Sequence, residues 1–226
     1  MGFQPVTHCI FDLDGLLLDT ESTYLKLYTA IAAKYNKEYP WSVRMKLMGT
    51  LERDSAKIMV EDLGLPITVD EFLSQQHAGL QNVLPEVDLL PGAERLIRHL
   101  HKSKIPIAVA TSSGEDSYNL KITRHKAVMS MFHHIVCGTS DTEVKKGKPA
   151  PDIYLICASR FAEKPKPEKC LVFEDSPNGV KAARAAGMQV VMVPDERATD
   201  IEMKEATIVL RSLEDFKPEM FGITPF

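Results

Sequence analysis

Short apolar runs alternate with segments of helical periodicity along most of this chain. The runs are only a few residues long, and little charge interrupts them, which is typical of strands buried on both faces of a sheet. Strands of this kind separated by helices indicate a parallel, doubly wound α/β sheet. A helix is predicted over 115–127, and strands are predicted over 6–12, 107–111, 134–137, 170–173, 190–193 and, at the edge, 208–210.

One long stretch, residues 20–85, interrupts this alternation directly after the first strand. It contains apolar stripes at helical spacing and no convincing strand, and helices are predicted over 41–48, 52–64 and 69–83. We therefore predict an α/β core formed by residues 1–17 and 87–226, with an all-helical cap domain, residues 18–86, inserted into it. Two linkers, near 16–20 and 84–90, are expected to connect the two parts.

Composition and charge restrict the class of protein. Of the 226 residues, 44% are hydrophobic and 26% charged, as in a soluble globular protein with a sizeable core. A net charge of −4 favours neither nucleic acid nor a membrane surface as partner. The sequence shows no signal-peptide pattern and no apolar run near the roughly 18 residues of a membrane span. The 4 cysteines form no C-x-x-C pair and predict reduced thiols, so we expect a cytoplasmic protein. A monomer is the default expectation.

Polar residues follow the predicted strands where ligands of such sheets bind, at the carboxyl ends. Each residue taken alone has an ordinary explanation as a turn, a helix cap or a solvated loop residue. Their joint occurrence on successive strand ends is much harder to explain in that way. The residues are Asp12 and Asp14 after the first strand, Thr111 at the end of the second, Lys148 in the loop after the third, and Glu174 with Asp175 after the fourth.

These groups suit phosphoryl transfer assisted by Mg²⁺, which prefers hard oxygen ligands and neutralises close carboxylates. Asp12 is expected to be the nucleophile that forms an aspartyl-phosphate, and Asp14 the general acid and base. Lys148 and Thr111 are expected to hold the phosphoryl oxygens. The predicted metal ligands are Asp175, Asp12 and the backbone carbonyl of Asp14, with Glu174 as a further ligand or bound through a water.

Four motifs resemble those of the haloacid dehalogenase superfamily, in the same order along the chain. They are F-D-L-D-G, V-A-T-S-S, G-K-P-A-P-D and V-F-E-D-S-P-N-G-V. The resemblance extends to the branch in which a helical cap follows the first motif, as in β-phosphoglucomutase. It implies a Rossmann-like core, a loop at 13–20 whose movement opens and closes the cap, and the roles given above to Asp12, Asp14, Thr111, Lys148, Glu174 and Asp175.

Within this family the residues favour a phosphatase. Dehalogenases lack the second aspartate, which is present here as Asp14. Mutases of the β-phosphoglucomutase type carry a histidine where this chain has Tyr24, and no cap lysine sits in the distinctive pattern of a phosphonatase. We expect a Mg²⁺-dependent phosphatase acting on a small phosphorylated metabolite, a nucleoside or sugar 5′-phosphate. A broader sugar- or polyol-phosphate phosphatase, a phosphomutase and a catalytically silent binding protein remain alternatives.

Substrate contacts are predicted on both sides of the expected cleft. On the core side, Ser112 and Ser113 follow the second motif and are expected to line the pocket with Thr111 and Lys148. On the cap side, the turn Gly49-Thr50-Leu51-Glu52-Arg53 resembles the specificity loop of the family, and Arg53 or Glu52 is expected to reach the substrate.

Overall fold

The computed structural model describes residues 3–47, 50–195 and 203–226. In these residues a single six-stranded sheet has the order β3-β2-β1-β4-β5-β6. Every neighbouring pair of strands is parallel. The predicted doubly wound α/β class is therefore confirmed. The strands are β1 His8–Phe11, β2 Ile107–Thr111, β3 His134–Cys137, β4 Cys170–Glu174, β5 Gln189–Met192 and β6 Ile208–Val209.

The central strands explain why their sequences are continuous apolar runs. β1, β2 and β4 are buried at every residue, so neither face of the sheet favours a polar side chain there. β1 lies between β2 and β4, and Phe11 is in register with Val109 on one side and Phe173 on the other. The three carboxyl ends consequently lie beside one another at one edge of the sheet.

Helices cover both faces of the sheet, and each face has its own apolar core. One core packs residues of α5 and α7 against the sheet, and the other packs residues of α8 and α9. The predicted helix over 115–127 is two helices, Glu115–Lys121 and Lys126–Met129. In the turn between them, Thr123 Oγ1 donates to the carbonyl of Leu120 at 2.7 Å. The helices are α5 Ala93–Lys102, α6 Glu115–Lys121, α7 Lys126–Met129, α8 Asp152–Ser159 and α9 Pro177–Ala185.

The segment between β1 and α5 is helical where the structure describes it. It packs around an apolar cluster of its own that includes Ile31, Met59 and Phe72. The two chain stretches that lead into and out of it run side by side, with the Leu90 N–H donating to the Leu17 carbonyl at 2.8 Å. Its helices are α1 Glu21–Ala33, α2 Trp41–Leu47, α3 Glu52–Leu63 and α4 Val69–Leu80.

Two further features concern the environment of the chain. In the described parts of the protein no helix has both the length and the apolar character that crossing a membrane requires. All four cysteines are free thiols, and three of them, Cys9, Cys157 and Cys170, are buried.

Candidate active site

The carboxyl ends of β1, β2 and β4 bring most of the predicted site residues together. Asp12 follows β1 directly, while Thr111 and Glu174 are the last residues of β2 and β4. All three are buried, with Thr111 and Glu174 at 0% and Asp12 at 5% exposure. The sheet itself therefore places residues from distant parts of the sequence in contact.

Lys148 reaches this edge from the loop between β3 and α8 and is also buried. Its Nζ donates to Asp12 Oδ1 and to Glu174 Oε1, both at 2.5 Å. Burial alone would lower the pKa of Lys148, but the two carboxylates outweigh that effect and raise it. Lys148 is therefore a fixed cation directly beside Asp12.

Glu174 holds this arrangement together, and its position argues against the predicted metal contact. Oε1 accepts hydrogen bonds from Lys148 and from the Tyr154 hydroxyl at 2.5 Å. Oε2 accepts from the backbone N–H groups of Asp175 and Ser176 at 3.1 Å and from the Ser176 hydroxyl at 2.9 Å. With its oxygens engaged in this way, Glu174 offers a metal ion little free coordination. Its contacts hold Lys148 in place, and the predicted role of Glu174 at a metal ion, as a ligand or through a water, stays a prediction.

Asp14 lies beside a second buried lysine that the sequence analysis missed. Lys121 Nζ is 2.6 Å from Asp14 Oδ1, while the hydroxyls of Thr111 and Ser113 donate to Asp14 Oδ2 at 3.2 and 3.0 Å. Burial alone would raise the pKa of Asp14, but Lys121 outweighs it and holds that pKa below its usual value. The available signal was the position of Lys121 on the same face of α6 as the buried Tyr118.

Asp12 and Asp175, at the same edge, have too little positive charge nearby to offset the effect of burial on their pKa values. Burial raises the pKa of Asp12 to about 7, with Glu174 and Asp14 adding to the effect and Lys148 opposing it. Burial also raises the pKa of Asp175, and the negative charges of Glu174 and Asp12 raise it further. A cation bound here would favour the ionised form of both aspartates.

This edge of the sheet also carries oxygen atoms that a metal ion could use as ligands. Within residues 3–47, 50–195 and 203–226, no group of three or more His, Cys, Asp or Glu side chains is arranged to hold one. Asp12, Asp175 and the Asp14 carbonyl supply two carboxylates and one neutral oxygen. That set fits Mg²⁺, which usually takes one or two protein carboxylates and keeps several waters.

A cavity of about 110 Å³ opens between this edge and the helical segment. Its floor includes Asp12, Asp14, Asp175, Ser112 and Ser113. A second cavity of about 290 Å³ adjoins it, because Glu52, Gly114 and Ser117 line both. From the helical segment, the first cavity is lined by Glu21, Tyr24, Leu25, Tyr28, Tyr39, Arg44, Leu47, Thr50, Glu52, Ser55 and Gln76.

On the cap side the structure does not place Arg53 at the cavity. Its Nη1 donates to Asp70 Oδ1 at 2.8 Å, and the side chain is 68% exposed. Glu52, by contrast, lines both cavities. The two neighbours differ because successive residues of a helix point about 100° apart. Of the two predicted contacts, Arg53 or Glu52, the cavity lining favours Glu52. Gly49, in the same predicted turn, lies outside the described residues.

A buried arginine and a buried glutamine of the cavity were also missed by the sequence analysis. Arg44 on α2 is 5% exposed, and Gln76 on α4 is 2% exposed. Both occupy positions of a buried helical stripe, Arg44 three residues before Leu47 and Gln76 four residues after Phe72. A charged or amide side chain on a buried stripe is the signal that would have revealed them.

Fold and site together define an α/β enzyme with acidic groups and a buried lysine at the carboxyl ends of its central parallel strands. The chain belongs to the family of haloacid dehalogenase-like hydrolases, whose sequence model matches residues 6–187. It is a hydrolase of phosphoric monoesters, consistent with the phosphatase names of its relatives.

Two curated relatives match the chain over nearly its full length. A Drosophila melanogaster protein named "Probable pseudouridine-5′-phosphatase" is 52% identical over 99% of this chain and 96% of its own. The Arabidopsis thaliana "(DL)-glycerol-3-phosphatase 2" is 47% identical over 100% of this chain and 95% of its own. Among solved structures, β-phosphoglucomutase from Clostridium difficile shares the fold, with a TM-score of 0.80 at 23% identity and 96% coverage of both chains.

Proposed function

We propose that this protein is a Mg²⁺-dependent phosphatase that hydrolyses a small phosphomonoester through an aspartyl-phosphate at Asp12. The first candidate substrate is pseudouridine 5′-phosphate, hydrolysed to pseudouridine and phosphate. The observation that carries the proposal is the placement of Asp12 at the end of β1, in a cavity and 2.5 Å from the Lys148 ammonium. An isolated carboxylate is a weak nucleophile, and it is effective only where the charge of the phosphoryl group is compensated.

In the first step, an Asp12 carboxylate oxygen attacks phosphorus while the bond to the ester oxygen breaks. Lys121 holds the pKa of Asp14 low in the free protein, and the negative charge of the bound phosphoryl group would raise it, so that Asp14 enters this step protonated. Asp14 then gives its proton to the departing oxygen, and the product leaves as a neutral alcohol. In the second step, a water attacks the aspartyl-phosphate and Asp14 takes a proton from it. Phosphate departs and the Asp12 carboxylate is restored. Because one carboxyl group both gives and takes the proton, Asp14 begins and ends the cycle in the same state.

Three groups are proposed to hold the phosphoryl oxygens during these steps. Lys148 neutralises charge beside Asp12, while Thr111 and Ser112 offer hydroxyl and backbone donors at the end of β2. The hydroxyls of Thr111 and Ser113 also donate to Asp14 Oδ2, at 3.2 and 3.0 Å, which orients that carboxylate. Mg²⁺, when bound to Asp12, Asp175 and the Asp14 carbonyl, would supply further compensation of negative charge.

The substrate is proposed from the relatives and from the residues near the first motif. The Drosophila relative carries the pseudouridine name at 52% identity, and the Arabidopsis relative carries the glycerol-3-phosphate name at 47%. A broader polyol- or sugar-phosphate phosphatase is therefore the second candidate. Tyr24 lines the cavity where the mutase pattern has a histidine, which disfavours a phosphomutase.

The proposed working unit is a cytoplasmic monomer with a core of residues 1–17 and 87–226 and a cap of residues 18–86. Closure of the cap over the phosphoryl group would exclude bulk water and leave room for the one water that attacks. The segments that connect the two parts are hydrogen-bonded side by side near Leu17 and Leu90, which suits a hinge.

The first experiment is hydrolysis of p-nitrophenyl phosphate with added Mg²⁺ and with a chelator. We expect turnover only with Mg²⁺; no turnover in either condition would favour the silent binding protein. The second is a phosphate-release screen of pseudouridine 5′-phosphate, UMP, glycerol phosphates and sugar phosphates. If pseudouridine 5′-phosphate is not among the best substrates by kcat/KM, the substrate assignment is wrong. The kcat/KM values of the glycerol phosphates and sugar phosphates in the same screen then test the second candidate.

A further inference from the structure

On the side opposite the sheet, the first cavity is lined by two buried side chains that each have one polar atom without a hydrogen-bond partner among the described residues. Arg44 Nη1 and Gln76 Oε1 have no hydrogen-bond partner within the described part of the chain. Both residues are more than nine-tenths buried, and both line the cavity that contains Asp12. Buried polar atoms are nearly always paired, so two exceptions on residues that line the same cavity point to a partner that the cavity would supply.

The contacts of Arg44 hold its guanidinium in place and leave one of its nitrogens without a hydrogen-bond partner in the described chain. Nε and Nη2 donate to Glu21 Oε2 at 3.2 and 2.8 Å, and Nη2 also donates to Asp195 Oδ2 at 3.3 Å. These bonds come from α1 and from the residues after β5, so they hold the guanidinium from two sides. The remaining nitrogen, Nη1, can only donate, because a guanidinium has no acceptor.

Within the described residues, the contacts of Gln76 leave an acceptor without a partner, whereas those of Arg44 leave a donor. Its Nε2 donates to Glu52 Oε1 at 3.3 Å, and that same oxygen lies 2.8 Å from Nε2 of His77. Because a carboxylate can only accept, Glu52 fixes which end of the amide carries the nitrogen. The amide oxygen of Gln76 is left over, and it can only accept.

The charge of the cavity restricts the ligand further. Its described lining includes five carboxylates, those of Asp12, Asp14, Glu21, Glu52 and Asp175, and the guanidinium of Arg44 as the one side-chain cation. Arg44 already pairs with Glu21 and Asp195. Lys148 and Lys121 already pair with Asp12 and Asp14 and do not line the cavity. A second anionic group on the substrate would therefore find no unpaired cation in the described lining and would lie near the carboxylate of Glu52.

We propose that Arg44 and Gln76 bind the leaving group of the substrate, and that this group is neutral and carries both an acceptor and a donor of hydrogen bonds. Sugar hydroxyls and the amide edge of a nucleobase meet both conditions. A carboxylate or a second phosphate meets neither the charge condition nor the need of Gln76 for a donor. The inference rests on the proposed phosphatase function, because it assigns the part of the substrate beyond the scissile bond.

The variants Gln76→Met and Arg44→Lys test the two contacts. Each keeps most of the side-chain volume, and the Lys variant keeps the charge needed by Glu21. For each we expect the ratio of kcat/KM for pseudouridine 5′-phosphate to kcat/KM for phenyl phosphate to fall about ten-fold, because phenol offers little to either side chain. Gln75→Met and Arg98→Lys are matched controls, since Gln75 bonds to Tyr35 and Arg98 to Glu94 outside the cavity, and should leave the ratio unchanged.

An unchanged ratio in folded Gln76→Met overturns the contact, as does an equal loss on both substrates. The charge condition is tested on wild-type protein with glycerol 3-phosphate and 3-phosphoglycerate, which differ in a hydroxymethyl or carboxylate group. We expect kcat/KM at least about ten-fold higher for the former, and equal values overturn neutrality.

Calorimetric titration with pseudouridine separates this inference from the proposed function, because binding of a product needs no chemistry. Wild-type binding that Gln76→Met weakens about ten-fold supports the inference even if no phosphate is released. Binding of equal strength in the two proteins overturns it, and so does absence of binding to the wild type, whatever the turnover.

Discussion

Two buried lysines dominate the chemistry at the scale of single residues. Lys148 contacts Asp12, and Lys121 contacts Asp14, at 2.5 and 2.6 Å. Both ammonium groups are wholly removed from solvent, where an unpaired charge would be very costly. Each proposed catalytic aspartate therefore has a fixed cation of its own.

Replacing Asp12 by Asn tests the nucleophile. An amide of the same shape cannot form the acyl-phosphate, and the substitution removes a negative charge from a crowded acidic site. We expect phosphate release to fall by about 10³-fold or more while the circular dichroism spectrum is unchanged. Asp215→Asn, at an exposed position far from the cavity, is the control and should retain full activity. Substantial residual hydrolysis by Asp12→Asn would remove the nucleophile assignment.

Replacing Asp14 by Asn tests the general acid through its dependence on the leaving group. An alkyl phosphate needs a proton on the departing oxygen, whereas p-nitrophenolate leaves readily without one. We expect kcat/KM to fall by about 10²–10⁴-fold for glycerol 3-phosphate and much less for p-nitrophenyl phosphate. Lys121→Met, which removes the partner of Asp14, should show a smaller loss with the same trend. Equal losses on both substrates would contradict the acid role.

The turn after β1 shows how one element positions several groups. Gly15 has φ +77°, and its N–H donates to the Leu18 carbonyl at 2.9 Å, which closes the turn. A Cβ on Gly15 would lie 2.4 Å from Asp175 Oδ2. The turn that follows the proposed nucleophile therefore requires a glycine at position 15 for two reasons. One is the positive φ angle, and the other is the space that Asp175, the proposed metal ligand, occupies.

Gly15→Ala and Gly187→Ala separate these two requirements. Both glycines have positive φ, so each substitution should reduce the free energy of unfolding by about 1–2 kcal/mol. At Gly187 the nearest atom to a Cβ is 3.6 Å away, which is ordinary contact. We expect only Gly15→Ala to lose activity and to need more Mg²⁺, as measured by Mg²⁺ titration of the rate. The same Mg²⁺ requirement in both variants would show that backbone strain alone is responsible.

Metal binding should alter the stability of the whole molecule in a pH-dependent way. Burial raises the pKa of Asp12 to about 7 and that of Asp175 also, so the metal-free folded protein binds more protons than the unfolded chain. The stability that these two groups contribute is therefore lost as the pH rises from the ordinary aspartate pKa through the raised values. A cation would restore that stability only where the aspartates are ionised.

The measurement is thermal unfolding in a chelator and in Mg²⁺ at two pH values. We expect the Mg²⁺-induced increase in Tm to be several degrees at pH 8 and clearly smaller at pH 6, where Asp12 is mostly protonated. Asp175→Asn should lose most of the increase at pH 8. An increase that is the same at both pH values, or that persists in Asp175→Asn, would place the ion elsewhere.

The sequence by itself determined the sheet, the order of its elements and the family. Strand and helix patterns depend on local periodicity and burial, and the predicted strands agree with the structure to within a few residues. It also predicted that Asp12, Asp14, Thr111 and Lys148 would meet, because the carboxyl ends of parallel strands lie at one edge.

Only the tertiary structure decided how side chains on different helices face one another. It placed Glu52 rather than Arg53 at the cavity, set Lys121 against Asp14, and turned the oxygens of Glu174 toward Lys148 and the start of α9. It also brought Arg44 and Gln76 to a common wall from positions 32 residues apart. These contacts depend on the packing angles and rotations of helices, which no local pattern specifies.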